Sequence, residues 1–225
     1  MTTVTPIDAK PSFAAQVREH TQGAHTRAEN AGFMTDLMQG NGTIADYASL
    51  VSQYFYIYDA LERVGETFRN DEIGSTFVTD ALLRRDAIDA DLNHFYGPSW
   101  REVITPTAAA LAYVERLETV ASRGSAEYVG HHYIRFLGDL SGGQIIRTMV
   151  QRHYGIPADG LNFLDFPMIP KPKPFKDDYR AALENAAWSP EERAALVAEV
   201  DVAYDLNFNL FVELGELSVA RKSAL

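Results

Sequence analysis

Apolar residues recur along the chain at intervals of three and four, and a period of two persists nowhere. The pattern predicts helices throughout. The first covers residues 13–34, "FAAQVREHTQGAHTRAENAGFM", with Phe13, Val17, Ala24 and Ala28 along one face. A second covers residues 43–68, with Thr43 as N-cap and Asp46 three positions on. A third, at 80–97, is closed by Gly97-Pro98, and a fourth lies at 106–121. Residues 126–154 read as one helix interrupted by glycines. Residues 157–174 hold five of the ten prolines and read as an extended loop over the core. Helix resumes at 175–188, and a last one starts behind Ser189 with Pro190 in its first turn. The expected fold class is all-α: one domain of about eight helices over residues 12–217. It is flanked by a loose tail at 1–11 and a short polar tail at 218–225.

One stretch breaks the helical rule from inside. "YIRFLGDLSGGQ" puts Gly138, Gly142 and Gly143 within six residues, beside Asp139 and Ser141. Each interior glycine costs roughly 1 kcal/mol relative to alanine. Gly138 and Gly142 are four apart and share a face, so a flat ligand can approach the backbone there, and the glycines also permit a kink. The competing reading is a close seam between two helices. Asp139 favours the ligand, because a carboxylate in a glycine-walled gap organises water and a packing seam has little use for one.

Charge and composition narrow the classes. The formal net charge of −11 argues against a nucleic-acid partner. There are no cysteines, so disulfides, thiolate metal sites and a cysteine nucleophile are excluded. No signal pattern opens the chain, and no apolar run approaches the ~18 residues of a membrane anchor. The expectation is a cytoplasmic monomer.

Of six histidines, His25 stands out because Glu29 follows one turn later. A metal-bound imidazole usually gives its second N–H to a carboxylate. His131 and His132 are adjacent and face different ways, while His20, His94 and His153 read as solvated. One histidine without a cluster suits a metal already held by a macrocycle, with the protein giving one axial ligand. Lys176 and Arg180 share a helix face after the proline-rich loop, and Arg18 lies two turns before His25; taken alone they read better as a solvated face paired within the helix to Asp177 or Glu184. Tyr54, Phe55 and Tyr58, then Tyr204, Phe208 and Phe211, are aromatic stripes of a kind more often core than cofactor box.

Together these blocks make the chain resemble the heme oxygenases. "AHTRAENAGFM", "YFYIYDALE", "YIRFLGDLSGGQ", "FKDDYR" and "AYDLNFNLF" occur in the family's order and spacing, from about residue 13 to 214. The resemblance implies an all-helical fold with heme b between a proximal first helix and a kinked, glycine-rich distal helix. It implies His25 as the iron's axial ligand, oriented by Glu29, and Gly138 and Gly142 against the distal heme face. Asp139 would anchor a distal water network with Tyr58, Arg135 and Asn207. Arg18, Lys176 and Arg180, helped by Tyr133, would pair with the heme propionates, and Phe211 would form an aromatic wall. Gln22 stands where some relatives carry a basic residue, which thins the basic rim.

The implied reaction takes heme, O2 and electrons from a ferredoxin, flavodoxin or flavin reductase to biliverdin, carbon monoxide and ferrous iron, with attack at the α position. A heme carrier or sensor would keep His25 and have no use for Asp139. A thiaminase-type enzyme of the ones known would need the missing cysteine. A di-iron oxidase would need inward-facing carboxylates with histidines, for which Glu127/His131 and Asp91/His94 have the spacing.

Overall fold

The computed structural model describes residues 11–224, so most of the expected N-terminal tail, along with Leu225, lies outside the described residues. Ten α-helices and no strand occur among them: α1 (Phe13–Glu29), α2 (Gly32–Gln39), α3 (Ile44–Thr67), α4 (Arg85–Tyr96), α5 (Trp100–Val103), α6 (Ala108–Val120), α7 (Ser125–Gly138), α8 (Gln144–Tyr154), α9 (Pro172–Asn185) and α10 (Pro190–Ser223). The termini anticipated from sequence are present. Thr43 and Asp46 form a reciprocal capping box on α3, and Ser189 and Glu192 form another on α10. Gly97 ends α4 at φ 78°, a region only glycine enters cheaply.

Four boundaries differ from expectation. The first helix divides at Asn30, because on one continuous helix Phe33 and Leu37 would lie roughly opposite the buried face of Val17, Thr21 and Ala28. The break lets both faces bury. The third helix starts at Arg85 and not at residue 80, since the Glu62 carboxylate of α3 accepts the Arg85 N–H at 3.0 Å and caps it from a distance. The proline-rich loop ends earlier than expected, with Pro172 and Pro174 inside the first turn of α9, where a missing N–H costs little. Finally, residues 218–223 are not a separate tail. They continue α10, with Ser218 buried and Arg221 Nη1 2.8 Å from Asp46 Oδ1.

The long α10 is the spine, packing on α7, α1, α6 and α2, while α3 packs on α6 and α4. At Gly130 of α7 an added Cβ would stand 3.0 Å from the Leu196 carbonyl oxygen and 3.2 Å from Glu199 Cβ, both on α10. Beside it, Glu199 accepts from Arg116 Nε at 2.6 Å and meets His131 Nε2 at 2.7 Å, tying α6, α7 and α10 together. Burial alone would raise the Glu199 pKa, yet His131 and Arg116 bring it down to about 2. His131 and His132 are both buried, and His132 Nδ1 lies 2.8 Å from the Tyr179 hydroxyl. Asp91 is also a structural group, accepting from the Asn162 and Phe163 backbone N–H at 2.7 and 2.8 Å. Neither di-iron pair is therefore available as a ligand set.

Gly130→Ala should lower the stability of the fold by about 1–3 kcal/mol, because the new methyl meets backbone that cannot step aside. Thermal unfolding of the variant checks this.

Candidate active site

The glycine-rich stretch stays helical. Asp139–Gly143 form a π-turn that joins α7 to α8 without a break, and Ser141 Oγ donates to the Leu137 carbonyl at 2.7 Å within it. The turn packs on α9 and on the short turn at Asn162–Leu164, while α1 packs on α10 and α9. A Cβ added at Gly138 or Gly142 would meet nothing within 4 Å. The seam reading fails at these two positions, because no neighbouring helix presses on them. Gly143 differs, with Leu164 Cδ2 3.2 Å from its would-be Cβ.

Behind that open face runs one hydrogen-bonded chain. Tyr58 of α3 donates to Asp139 Oδ2. Arg135 donates to the Tyr58 hydroxyl from Nε and Nη2 at 3.2 and 3.0 Å, and from Nη1 to Asn207 Oδ1 at 2.8 Å. The four residues expected to act together at the distal side are thus brought together by three helices and the turn. Burial pushes the Asp139 carboxyl up, against the pull of Arg135, the Tyr58 hydrogen bond and Arg84. Burial also raises the Tyr58 phenol far above its ordinary value, so it remains a donor.

On α1, His25 Nδ1 lies 3.3 Å from Glu29 Oε2 and is shielded from solvent, without a hydrogen bond among the described residues. The side chain is 42 % exposed, and that exposure belongs to the rest of the ring, which meets Tyr204 edge-on at 5.7 Å. An imidazole with one nitrogen backed by a carboxylate and its other edge open fits a single axial bond to iron. Among the described residues no group of three or more His, Asp or Glu side chains is arranged to hold a metal ion by itself. The donor set therefore fits an iron that brings its own macrocycle.

The expected basic residues lie on α1 and α9. Lys176 of α9 reaches the π-turn, its Nζ 2.8 Å from Ser141 Oγ. Arg180 pairs with Asp177 at 3.1 Å, and its charge, with that of Arg18, opposes the rise that burial imposes on the Tyr133 phenol. Gln22 is exposed and bonds only within α1, to Thr26. Phe211 is buried in the core on α10, one turn beyond Asn207. Two residues were not singled out by sequence as parts of the site. Tyr54 carries the Arg135 guanidinium 4.3 Å from its ring centre, a contact foreshadowed only by its spacing of four from Tyr58. Ser141 meets Lys176 across a tertiary gap for which the sequence holds no signal.

A family model described as "Heme oxygenase" matches residues 11–213. The chain belongs to the heme oxygenase family. It is 37 % identical over 217 residues to human "Heme oxygenase 1", covering 94 % of this chain and 75 % of that one. It is 34 % identical over 203 residues to "Heme oxygenase 1" of Synechocystis, covering 90 % and 85 %. Among solved structures it superposes on Synechocystis heme oxygenase-1 in complex with heme with a TM-score of 0.90, at 32 % identity, over 95 % of this chain and 97 % of that one. The heme oxygenase of Leptospira interrogans gives a TM-score of 0.85 at 31 % identity, over 90 % and 100 %. No helix among the described residues of this family member is long and apolar enough to cross a membrane.

Gly138→Ala should separate ligand space from packing. With nothing within 4 Å of the new methyl, the heme-free protein should melt no lower than wild type, and higher by up to about 1 kcal/mol of helix propensity, while hemin uptake weakens. Melting curves and a hemin titration check the two halves.

Proposed function

We propose that the chain cleaves heme oxidatively to biliverdin, carbon monoxide and ferrous iron, using O2 and electrons from an external ferredoxin, flavodoxin or flavin reductase. One observation carries the reading: a glycine face at the π-turn that no neighbouring element covers, in a chain whose α1 carries His25 with the Glu29 carboxylate 3.3 Å from its Nδ1. Bound heme supplies the iron at which oxygen is reduced and the meso carbon that is attacked.

The protein's residues do the rest. His25 would give one nitrogen to the iron, with the Glu29 carboxylate 3.3 Å from Nδ1, the other nitrogen. Arg18, Lys176 and Arg180, with the Tyr133 hydroxyl, offer cations and a donor to the two propionates and so set the rotation of the macrocycle in its slot. Gly138 and Gly142 would let the backbone close over the opposite face, and Phe211 of α10 would form an aromatic wall of the pocket. Asp139 has one carboxylate oxygen taken by Tyr58 and its other free to hold a water. Arg135, anchored on Asn207, keeps Tyr58 in that role. A water so held donates a proton on the distal side without a charged acid in the pocket. Attack at the α-meso edge is the expectation that the family resemblance carries over to this reading. A carrier would need the imidazole alone, and the four-residue chain behind Asp139 favours an enzyme.

The direct test mixes pure protein with hemin and ascorbate in air, and expects a one-to-one complex followed by biliverdin and carbon monoxide. Heme left unchanged over many minutes would point to a carrier. His25→Ala should stop turnover while keeping part of the hemin affinity, with added imidazole restoring activity; normal turnover would remove His25 from its role. Asp139→Ala should lower biliverdin formation about 100-fold or more while oxygen and reductant are still consumed. Product analysis beside oxygen uptake reads that split.

A further inference from the structure

A second opening lies between α2 and the C-terminal end of α10, and none of the residues expected at the heme site lines it. It is a cavity of about 210 Å³, walled by Phe33 and Leu37 of α2 and Val219 of α10, with the backbone bare at Gly32 and Gly215. Gly215 sits in the interior of α10, four residues beyond Phe211, where glycine weakens a helix. Packing does not ask for it. An added Cβ there would meet only Phe33 Cβ within 4 Å, at 3.7 Å, which is ordinary contact.

One polar group lines the same cavity from inside. Ser218 is 7 % exposed, yet its hydroxyl has no hydrogen-bond partner among the described residues. Helical serines commonly solve this locally. Ser52, Ser141 and Ser223 each donate to the carbonyl four residues earlier, at 2.8, 2.7 and 2.9 Å. Ser218 makes no such bond to Leu214. A buried hydroxyl without a partner is costly, so what fills the cavity has to supply one. The charges at the mouth leave little for an ion. Asp46 is taken by Thr43 and by Arg221. Asp36 and Lys222 are exposed and opposite in sign, and Lys222 Nζ donates to the Asn41 carbonyl at 3.0 Å. Water would satisfy Ser218 and leave the apolar walls wet, whereas an uncharged ring bearing a hydroxyl satisfies both.

We propose that the cavity between α2 and α10 is a binding site for a small, uncharged, single-ring molecule of the phenol class. The ring lies among Phe33, Leu37 and Val219, against the bare backbone at Gly215, and its hydroxyl bonds Ser218 Oγ. The size agrees, since an apolar cavity of roughly 150 Å³ takes a benzene ring and the remainder accommodates one polar substituent. The bound ring bridges α2, which follows the helix of His25, to α10, which carries Asn207 and Phe211. The site does not depend on the heme-cleaving function proposed above.

The probe is 4-fluorophenol, followed by its fluorine NMR signal against the full chain, with 4-fluorotoluene as the ring that lacks a hydroxyl. Saturable binding of the phenol is expected with a Kd on the order of 1 mM, as suits so small a ligand. It should persist when zinc protoporphyrin is added to fill the heme slot. Gly215→Leu puts a side chain into the cavity and should abolish binding of both rings, while the variant melts no lower than wild type. Ser218→Ala should weaken the phenol about fivefold, the worth of one ordinary hydrogen bond, and leave the toluene unchanged. No saturable binding up to about 10 mM means a cavity that holds water alone, and overturns the site. Binding that survives in Gly215→Leu, or that zinc protoporphyrin displaces, puts the ring elsewhere and overturns it as well. Phenol affinity unchanged in Ser218→Ala, or lost equally with that of the toluene, overturns the hydroxyl contact, and this comparison decides even if Gly215→Leu fails to fold.

Discussion

Arg135 carries a full positive charge into the interior with 4 % of its surface exposed, and its neighbours are arranged around that burden. A buried charge is tolerable only when its donors are satisfied. Tyr58 and Asn207 accept from it, and the rings of Tyr54 and Tyr58 lie 4.3 and 4.9 Å from its centre. Those obligations lock α3, α7 and α10 to one another just behind the π-turn. Asp139 is held through Tyr58, and the bare stretch from Gly138 to Gly142 inherits a rigid backing. A helix stripped of side chains would otherwise be soft at the one place where a flat ligand needs a firm wall.

Two kinds of glycine on the same continuous helix make the contrast physical. Gly130 is small because α10 is there, its would-be Cβ 3.0 Å from a backbone oxygen. Gly138 and Gly142 are small with no atom of a neighbouring element within 4 Å of a would-be Cβ to require it. Helix stability alone would favour alanine at both positions. The missing side chains cost stability that packing does not return, and a bound ligand is what gives that cost a purpose. Lys176 reaches the same turn from α9 to meet Ser141, so the open face is rimmed by a cation suited to an acidic ligand edge in a chain of net charge −11.

Much of this was legible in one dimension. The caps at Thr43 and Ser189, the stop at Gly97 and the helical periodicity depend on residues within a turn of one another. So does the pairing of His25 with Glu29, which needs only a spacing of four. The blocks around Asp139 and Asn207 were recognisable as family blocks. Less visible were the places where a distant group overrules local preference. Glu62 decides where α4 begins, and Asp46 on α3 takes Arg221 and helps keep 218–223 helical. The polar look of "GHHY" hid two fully packed histidines, because burial of His131 depends on Glu199, sixty-eight residues away.

The sequence by itself determined that the chain is helical, where most helices stop, and which residues have the chemistry to grip a heme, since those properties arise from backbone sterics, hydrophobic period and side-chain type over a few neighbouring positions. Only the tertiary structure decided which glycines face open space and that Tyr58, Arg135, Asp139 and Asn207 form one chain. Those outcomes depend on what α3, α7 and α10 bring against each other. No local pattern encodes such contacts, because the free energy of a buried polar group is set by whatever reaches it through space.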